Sequence, residues 1–329
     1  MSAWGSVLAA VMLQGPYPLL VTPWTEDAKL DVPVLVKEAD YVNACGVGGI
    51  IWPPANEVLG TLKKDEYTDG LRALAKRSVE AKYEARITAI CPGKTSEDAV
   101  KLGALVQSIA DETGAKMAIL ARPPDNATNQ LMIADHYRAF AKVVKMPVII
   151  QTYNGKSPQP DVAVVVKLAQ EFPDIYGYVK EESPGLQVNA RMEQLLSHPE
   201  IKMVFSGWGG KGWIYQGSRI GTKGLITQRP AYASLFVKVY NRLAAGADAS
   251  DPELADAYTK YLYMTNLGDV FSSGGDDAMR DVHLYVLQKL GIFRNRLTRD
   301  VKGKVTEFAM TDKMKAEVEA RMQYCGLLK

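Results

Sequence analysis

The residues best suited to covalent chemistry lie in Ile175-Tyr-Gly-Tyr-Val-Lys-Glu-Glu-Ser-Pro-Gly185, a β-prone run that ends on Lys180 and is followed by Glu181, Glu182 and a Pro-Gly break. A lysine directly after Tyr176, Tyr178 and Val179 is expected at the mouth of a buried strand, where partial desolvation favours a neutral amine able to attack a carbonyl carbon. The bland alternative is a solvated strand-end cation paired with Glu181. A carboxyl group in a dry cleft can carry protons, which makes Glu57 and Glu182 candidates for acid–base work, although exposed glutamates are far commoner. The backbone amides of Ala55 and Asn56, with the Asn56 side chain, could hold a carboxylate; otherwise Pro53-Pro54 merely shape a loop. Tyr153 is either a proton relay or a packed aromatic. Arg229 and Lys156 are either surface charges or partners for a distal carboxylate or hydroxyls.

Other chemistries find little support. Cys45, Cys91 and Cys325 are far apart with no zinc-type spacing, which fits inert thiols in a reducing cytoplasm better than a disulfide framework. His136, His198 and His283 are equally scattered, so a histidine metal site or a Ser-His-Asp triad is not expected. The 329 residues are 47% hydrophobic and 23% charged with a formal charge of +2, the balance of a soluble globular protein with no basic surface for nucleic acid. No run of about 18 apolar residues suggests a membrane span. Trp4 to Leu13 lacks the flanks of a signal peptide and reads as a terminal extension or short helix.

The elements that must position Lys180 alternate between strand and helix. Expected strands are Tyr17 to Thr22, Gly49 to Trp52, Arg86 to Ile90, Lys116 to Leu120, Pro147 to Gln151, the run ending at Lys180, Met203 to Phe205 and Gly224 to Thr227. Between them lie helical stretches, the Pro53 to Gly60 loop and a Gly-rich turn from Ser206 to Gly212. Each strand is a continuous apolar run, as in a parallel sheet buried on both faces. Eight such units predict an α/β protein with a (β/α)8 TIM barrel, ahead of a doubly wound sheet. Residues 1–229 would form the barrel with a short N-terminal extension. Residues 230–329 read as helices only, a C-terminal helical extension. In a barrel, functional groups gather at the C-terminal strand ends, which selects Thr22, the loop from Pro53 to Glu57, Cys91, Arg122, Gln151 to Lys156, Lys180 to Glu182, Ser206-Gly207 and Thr227 to Arg229.

The same residues resemble the pyruvate-dependent class I aldolases and dehydratases typified by dihydrodipicolinate synthase and N-acetylneuraminate lyase. The likeness runs through Leu20-Val-Thr-Pro23, Gly46-Val-Gly-Gly-Ile-Ile51, Pro147-Val-Ile-Ile150, Gly177-Tyr-Val-Lys-Glu181, Ser206-Gly207 and Gly224-Leu-Ile-Thr227. It implies Lys180 as a Schiff-base lysine, and Ser206, Gly207 and Ile226 as parts of the substrate pocket. Two departures matter. Where the family carries a G-T-T-G-E loop, Ala55 and Asn56 replace the threonine pair. Where it places a relay tyrosine, the ungapped register puts Gln151, and Tyr153-Asn154 restores the pair only with two residues inserted. The ungapped register is preferred, since Gln151, Lys180-Glu-Glu-Ser-Pro-Gly185 and Pro123-Pro124 are similar to the 2-keto-3-deoxy sugar acid dehydratase branch.

The resemblance implies a lyase without metal or other cofactor, acting on a 2-keto acid by dehydration or aldol cleavage, in a cytoplasmic homo-tetramer or dimer. The competing expectation is a catalytically silent relative that binds a keto acid in a structural or regulatory role.

Overall fold

Runs such as Gly49–Trp52, apolar at every position, avoid water only when a sheet is covered on both faces. The computed structural model describes residues 12–152, 155, 157–185, 187–271, 276–307 and 309–328, without the side chains of residues 268–271 and 276–281. Tyr153, Asn154, Lys156 and most of the Trp4 to Leu13 stretch lie outside the described residues.

Eight parallel strands form a (β/α)8 barrel: β1 (Pro16–Pro18), β2 (Gly49–Trp52), β3 (Arg86–Ile90), β4 (Met117–Ala121), β5 (Val148–Gln151), β6 (Tyr178–Glu181), β7 (Met203–Ser206) and β8 (Gly224–Thr227). Neighbours pair in order from β2 through β8 to β1. A parallel bridge between Leu19 and Ile51, with the Leu20 amide donating to the Ile51 carbonyl at 2.9 Å, brings the two edges together. The surrounding helices are α1 (Val32–Ala44), α2 (Ala55–Gly60), α3 (Lys64–Glu80), α4 (Ser96–Thr113), α5 (Gln130–Ala141), α6 (Val162–Glu171), α7 (Gln187–Leu196) and the short α8 (Trp213–Tyr215). Their starts follow local chemistry: Asp31 accepts from the Val34 amide at 3.2 Å, and Thr95 and Asp98 cap α4 reciprocally.

Strand alternation divides the core in two. Inside the barrel, Tyr17, Ile51, Leu120, Ile149, Tyr178, Phe205 and Ile226 pack as one cluster, with Tyr17 edge-on to Phe205 at 5.1 Å. Outside it, residues such as Val179, Ile150 and Val204 meet the helices. The barrel interior is therefore a solid apolar floor beneath the C-terminal mouth. No described helix is long and apolar enough to cross a membrane.

After β8 come α9 (Ala233–Ala244), α10 (Pro252–Phe271), α11 (Asp276–Lys289) and α12 (Asp312–Tyr324). The expectation of helices alone fails here, because β9 (Leu297–Arg299) and β10 (Val305–Glu307) form an antiparallel hairpin. Its side chains are mostly half-buried or exposed, so it carries no apolar pattern to reveal it. What fixes it is Arg299, which donates to both Glu66 oxygens (2.7 and 2.5 Å) and to the carbonyls of Ala28 and Thr61 (both 2.6 Å). Its guanidinium also stacks 3.7 Å over the Trp24 ring.

Three further expectations need correction. The first strand is Pro16–Pro18 rather than Tyr17 to Thr22; the prolines lack ladder donors, and the Val21 amide donates to Glu38 in α1 at 3.2 Å. Part of the supposed loop after β2 is α2. The Gly-rich turn after β7 continues through α8 into a π-helical turn ending at Ile220.

Candidate active site

Register brings the candidates at β5 and β6 together. Gln151 pairs with Lys180 across the two strands, and alternation with Ile149 and Tyr178 turns both side chains toward the barrel axis. Lys180 therefore stands on the apolar floor, 7% exposed, a buried side chain rather than a solvated one. Its partner is not Glu181, as the bland alternative has it, but Glu182, whose Oε1 lies 2.7 Å from Lys180 Nζ. The other oxygen, Oε2, accepts from Gln151 Nε2 at 2.6 Å.

Glu182 is held there by the backbone. Its amide donates to Thr152 Oγ1 at 2.8 Å, and the Thr152 amide donates to the Lys180 carbonyl at 3.0 Å. On the other side Gly207 closes against its stem, where an added Cβ would lie 2.5 Å from Glu182 Cγ and 2.6 Å from the Glu181 carbonyl oxygen. A glycine is needed at 207 for this approach, although its φ is an ordinary −87°. Glu181 has a different task. Fully buried, it accepts from the Ser183 amide at 2.7 Å and pairs with Arg191 of α7 at 3.3 Å, which ties the β6 end to the helix that follows.

The other candidates are dispersed around the mouth. Ala55 and Asn56 open α2, where the first amides of a helix have no intrahelical acceptor, and Ala55 packs against the barrel-interior cluster. Glu57, expected to be exposed unless functional, is buried and accepts the Thr22 hydroxyl, which itself accepts from Trp52 Nε1 at 3.1 Å. Nearby Glu38 is fully buried, and desolvation, with the Glu57 charge added, pushes its carboxyl well above the usual range. Ile226 lies in the barrel interior. Ser206 follows inward-facing Phe205, and its hydroxyl donates to the Gly207 carbonyl at 3.3 Å. Arg229, expected as a surface charge unless functional, is 7% exposed. Tyr153 and Lys156 lie outside the described residues.

Sequence reasoning missed Gln159, and it gave Thr152 no task of its own within the Gln151 to Lys156 stretch. Gln159 donates to the Thr152 carbonyl at 2.5 Å and accepts from the Ser183 hydroxyl at 3.2 Å, joining the β5 and β6 loops. A polar residue directly after the strand residue that faces the lysine was the available signal. Among the described residues no three His, Cys, Asp or Glu side chains cluster as metal ligands.

No family model matches the chain. It is 22% identical to the 4-hydroxy-tetrahydrodipicolinate synthase of Bartonella bacilliformis over 327 residues, covering 97% of this chain and 100% of that protein. To the synthase of Chlorobium luteolum it is 30% identical over 196 residues, 59% of this chain and 63% of that one. Among solved structures, dihydrodipicolinate synthase from Aquifex aeolicus superposes with a TM-score of 0.74 at 19% identity, covering 95% of this chain and 98% of that one. The chloride-inhibited Acinetobacter baumannii enzyme complexed with pyruvate gives 0.73 at 18% identity, with coverages of 96% and 100%. The chain is thus similar in sequence to 4-hydroxy-tetrahydrodipicolinate synthases, and it shares the (β/α)8 fold of the solved dihydrodipicolinate synthases.

Proposed function

We propose that the protein is a Schiff-base lyase acting on a 2-keto acid, and that the reaction is the dehydration or aldol cleavage of a 2-keto-3-deoxy sugar acid. The observation that carries this reading is the Lys180–Glu182–Gln151 contact set on the barrel floor. An ammonium is not a nucleophile, and Glu182 Oε1 at 2.7 Å can accept its proton without any side-chain movement. The freed amine attacks C2 of the keto acid. Glu182 then returns the proton to the C2 hydroxyl, which leaves as water and gives the protonated imine.

The cationic nitrogen withdraws electrons from C3. In dehydration, Glu182 takes a C3 proton to form the enamine and delivers it to the C4 hydroxyl, which departs as water. A second water hydrolyses the unsaturated imine, releasing product and the Lys180 amine. In aldol cleavage the C4 hydroxyl instead loses its proton, the C3–C4 bond breaks, and the resulting enamine is protonated at C3 before hydrolysis. Glutamine cannot exchange a proton at neutral pH, so Gln151 orients the carboxylate or the departing hydroxyl.

The test is intact mass after borohydride treatment with pyruvate and a panel of 2-keto acids. One reduced adduct is expected on wild-type protein and none on Lys180→Ala. An adduct that persists in Lys180→Ala, or none with any keto acid, overturns the covalent mechanism. Product analysis with 2-keto-3-deoxy acids then separates the reactions, because cleavage releases pyruvate and dehydration does not. A silent relative is the second reading, favoured by the absence of a hydroxyl side chain at Ala55 and Asn56; imine formation without turnover would select it.

A further inference from the structure

Arg229 follows β8 at the barrel mouth and is 7% exposed, yet among the described residues no carboxylate or carbonyl pairs with its guanidinium, and its Nε has no hydrogen-bond partner. A permanent cation taken out of water without an anion is unfavourable, and arginine cannot shed its proton to escape. The neighbours do not relieve it. Tyr232, Tyr261 and His283 lie near enough to feel its charge; burial holds the two phenols un-ionised, and burial followed by the Arg229 charge pushes the His283 imidazole down to about 3. All three are uncharged at neutral pH.

The front of the guanidinium is equally constrained. Gly209 has φ +67°, and an added Cβ there would collide with Arg229 Nη1. The Gly209 carbonyl is taken by the Tyr261 hydroxyl of α10 at 2.8 Å. The loop that meets Arg229 at Gly209 is the one that meets Glu182 at Gly207. Two residues span at most about 7 Å, so the guanidinium and the Lys180–Glu182 pair flank one short stretch of chain at the same rim.

We propose that Arg229 is the counter-charge for a second, terminal carboxylate of the substrate, making the ligand a dicarboxylic 2-keto acid. The inference rests on the Schiff-base reading for its first anchor and adds the second. A planar guanidinium whose Nε has no hydrogen-bond partner suits bidentate capture of a carboxylate. Tyr261 of α10 and His283 of α11 feel its charge, so the chain beyond the barrel sets the surroundings of this cation.

The experiment compares 2-oxoadipate with 2-oxohexanoate, matched in length and differing in the terminal carboxylate, as ligands in borohydride trapping. Wild-type protein is expected to half-saturate with 2-oxoadipate at a concentration at least about tenfold lower, and Arg229→Gln to abolish that ratio. Equal half-saturation in wild type, or a ratio that survives in Arg229→Gln, overturns the proposal. A stronger preference for 2-keto-3-deoxy-6-phosphogluconate overturns the carboxylate assignment in favour of a phosphate.

Thermal melting separates this inference from the reading beneath it. Glutarate, which forms no imine, is expected to raise the melting temperature of wild-type protein where pentanoate does not; no rise overturns the anion site even if pyruvate is trapped. A glutarate rise without a pyruvate adduct removes the Schiff base and leaves the site. Without ligand, Arg229→Gln is expected to melt higher than wild type, since it loses an uncompensated buried charge. A lower melting temperature, or failure to fold in both Arg229→Gln and Arg229→Met, overturns the proposal by showing that Arg229 serves the fold.

Discussion

Lys180 Nζ and Glu182 Oε1 are 2.7 Å apart, although strand alternation alone would let the two side chains simply run parallel on the inward side of β6. The chain leaves the strand at Glu182, whose amide turns to Thr152, and the carboxylate swings back over the amine it follows. Glu182→Gln is expected to retain a borohydride-trappable imine while turnover falls about 100-fold or more, the scale of a lost general acid or base. Single-turnover kinetics beside adduct mass checks this, and near-normal turnover would shift the proton transfer elsewhere.

Gly207→Ala tests the same carboxylate from the side. The added methyl meets Glu182 Cγ at 2.5 Å and the Glu181 carbonyl at 2.6 Å, so Glu182 must move. A displacement of this order is expected to lower kcat about 100-fold. Loss of stability should stay within about 1–3 kcal/mol, the usual cost of overpacking. Steady-state kinetics and urea unfolding measured on the same preparation distinguish the two effects.

Acid sensitivity follows from the two buried histidines, His283 and His136, and His136 is the one remote from the candidate site. It is buried in α5, its Nδ1 lies 3.0 Å from Ser96 Oγ, and burial lowers its ionisation from 6.5 to about 4. Between those values the unfolded chain binds the proton and the folded chain does not, so stability falls as pH drops through that window. From pH 7 to pH 5 this histidine accounts for about 2 kcal/mol of loss. Glu38, raised by burial, acts in the opposite sense. His136→Asn is therefore expected to flatten the acid side of a plot of unfolding free energy against pH, and an unchanged slope would contradict the assignment.

Arg299→Ala removes one partner of a pair whose side chains are 2% and 12% exposed, leaving Glu66 without its cation. The expected loss is about 3–5 kcal/mol, read as a lowered urea midpoint at unchanged slope. A loss below about 1 kcal/mol would place this pair among ordinary surface ion pairs.

The barrel was legible because its signal is local. Runs such as Ile87–Ile90 and Ile119–Leu120 declare burial on both faces within a few residues, and Lys180 declares itself by ending one. What escaped depends on pairing at a distance. Glu182 was singled out as a proton carrier, but its partners were not: the Gln151–Lys180 register and the Thr152 hydroxyl that hold it come from β5. Glu57 and Arg229 look like surface charges because Thr22, 35 positions from Glu57, and Tyr261 and His283, far beyond Arg229, do the burying. The hairpin escaped for a related reason, since one arginine rather than an apolar stripe anchors it.

The Arg299 clasp also bears on the order in which the molecule is completed. Trp24, Ala28, Thr61 and Glu66 are synthesised more than 200 residues before Arg299, the side chain that binds all four. A nascent chain that already contains all eight strands still has Glu66 without its cation. An early segment is thus secured late, and chains cut short before position 299 lack the bond that closes this rim.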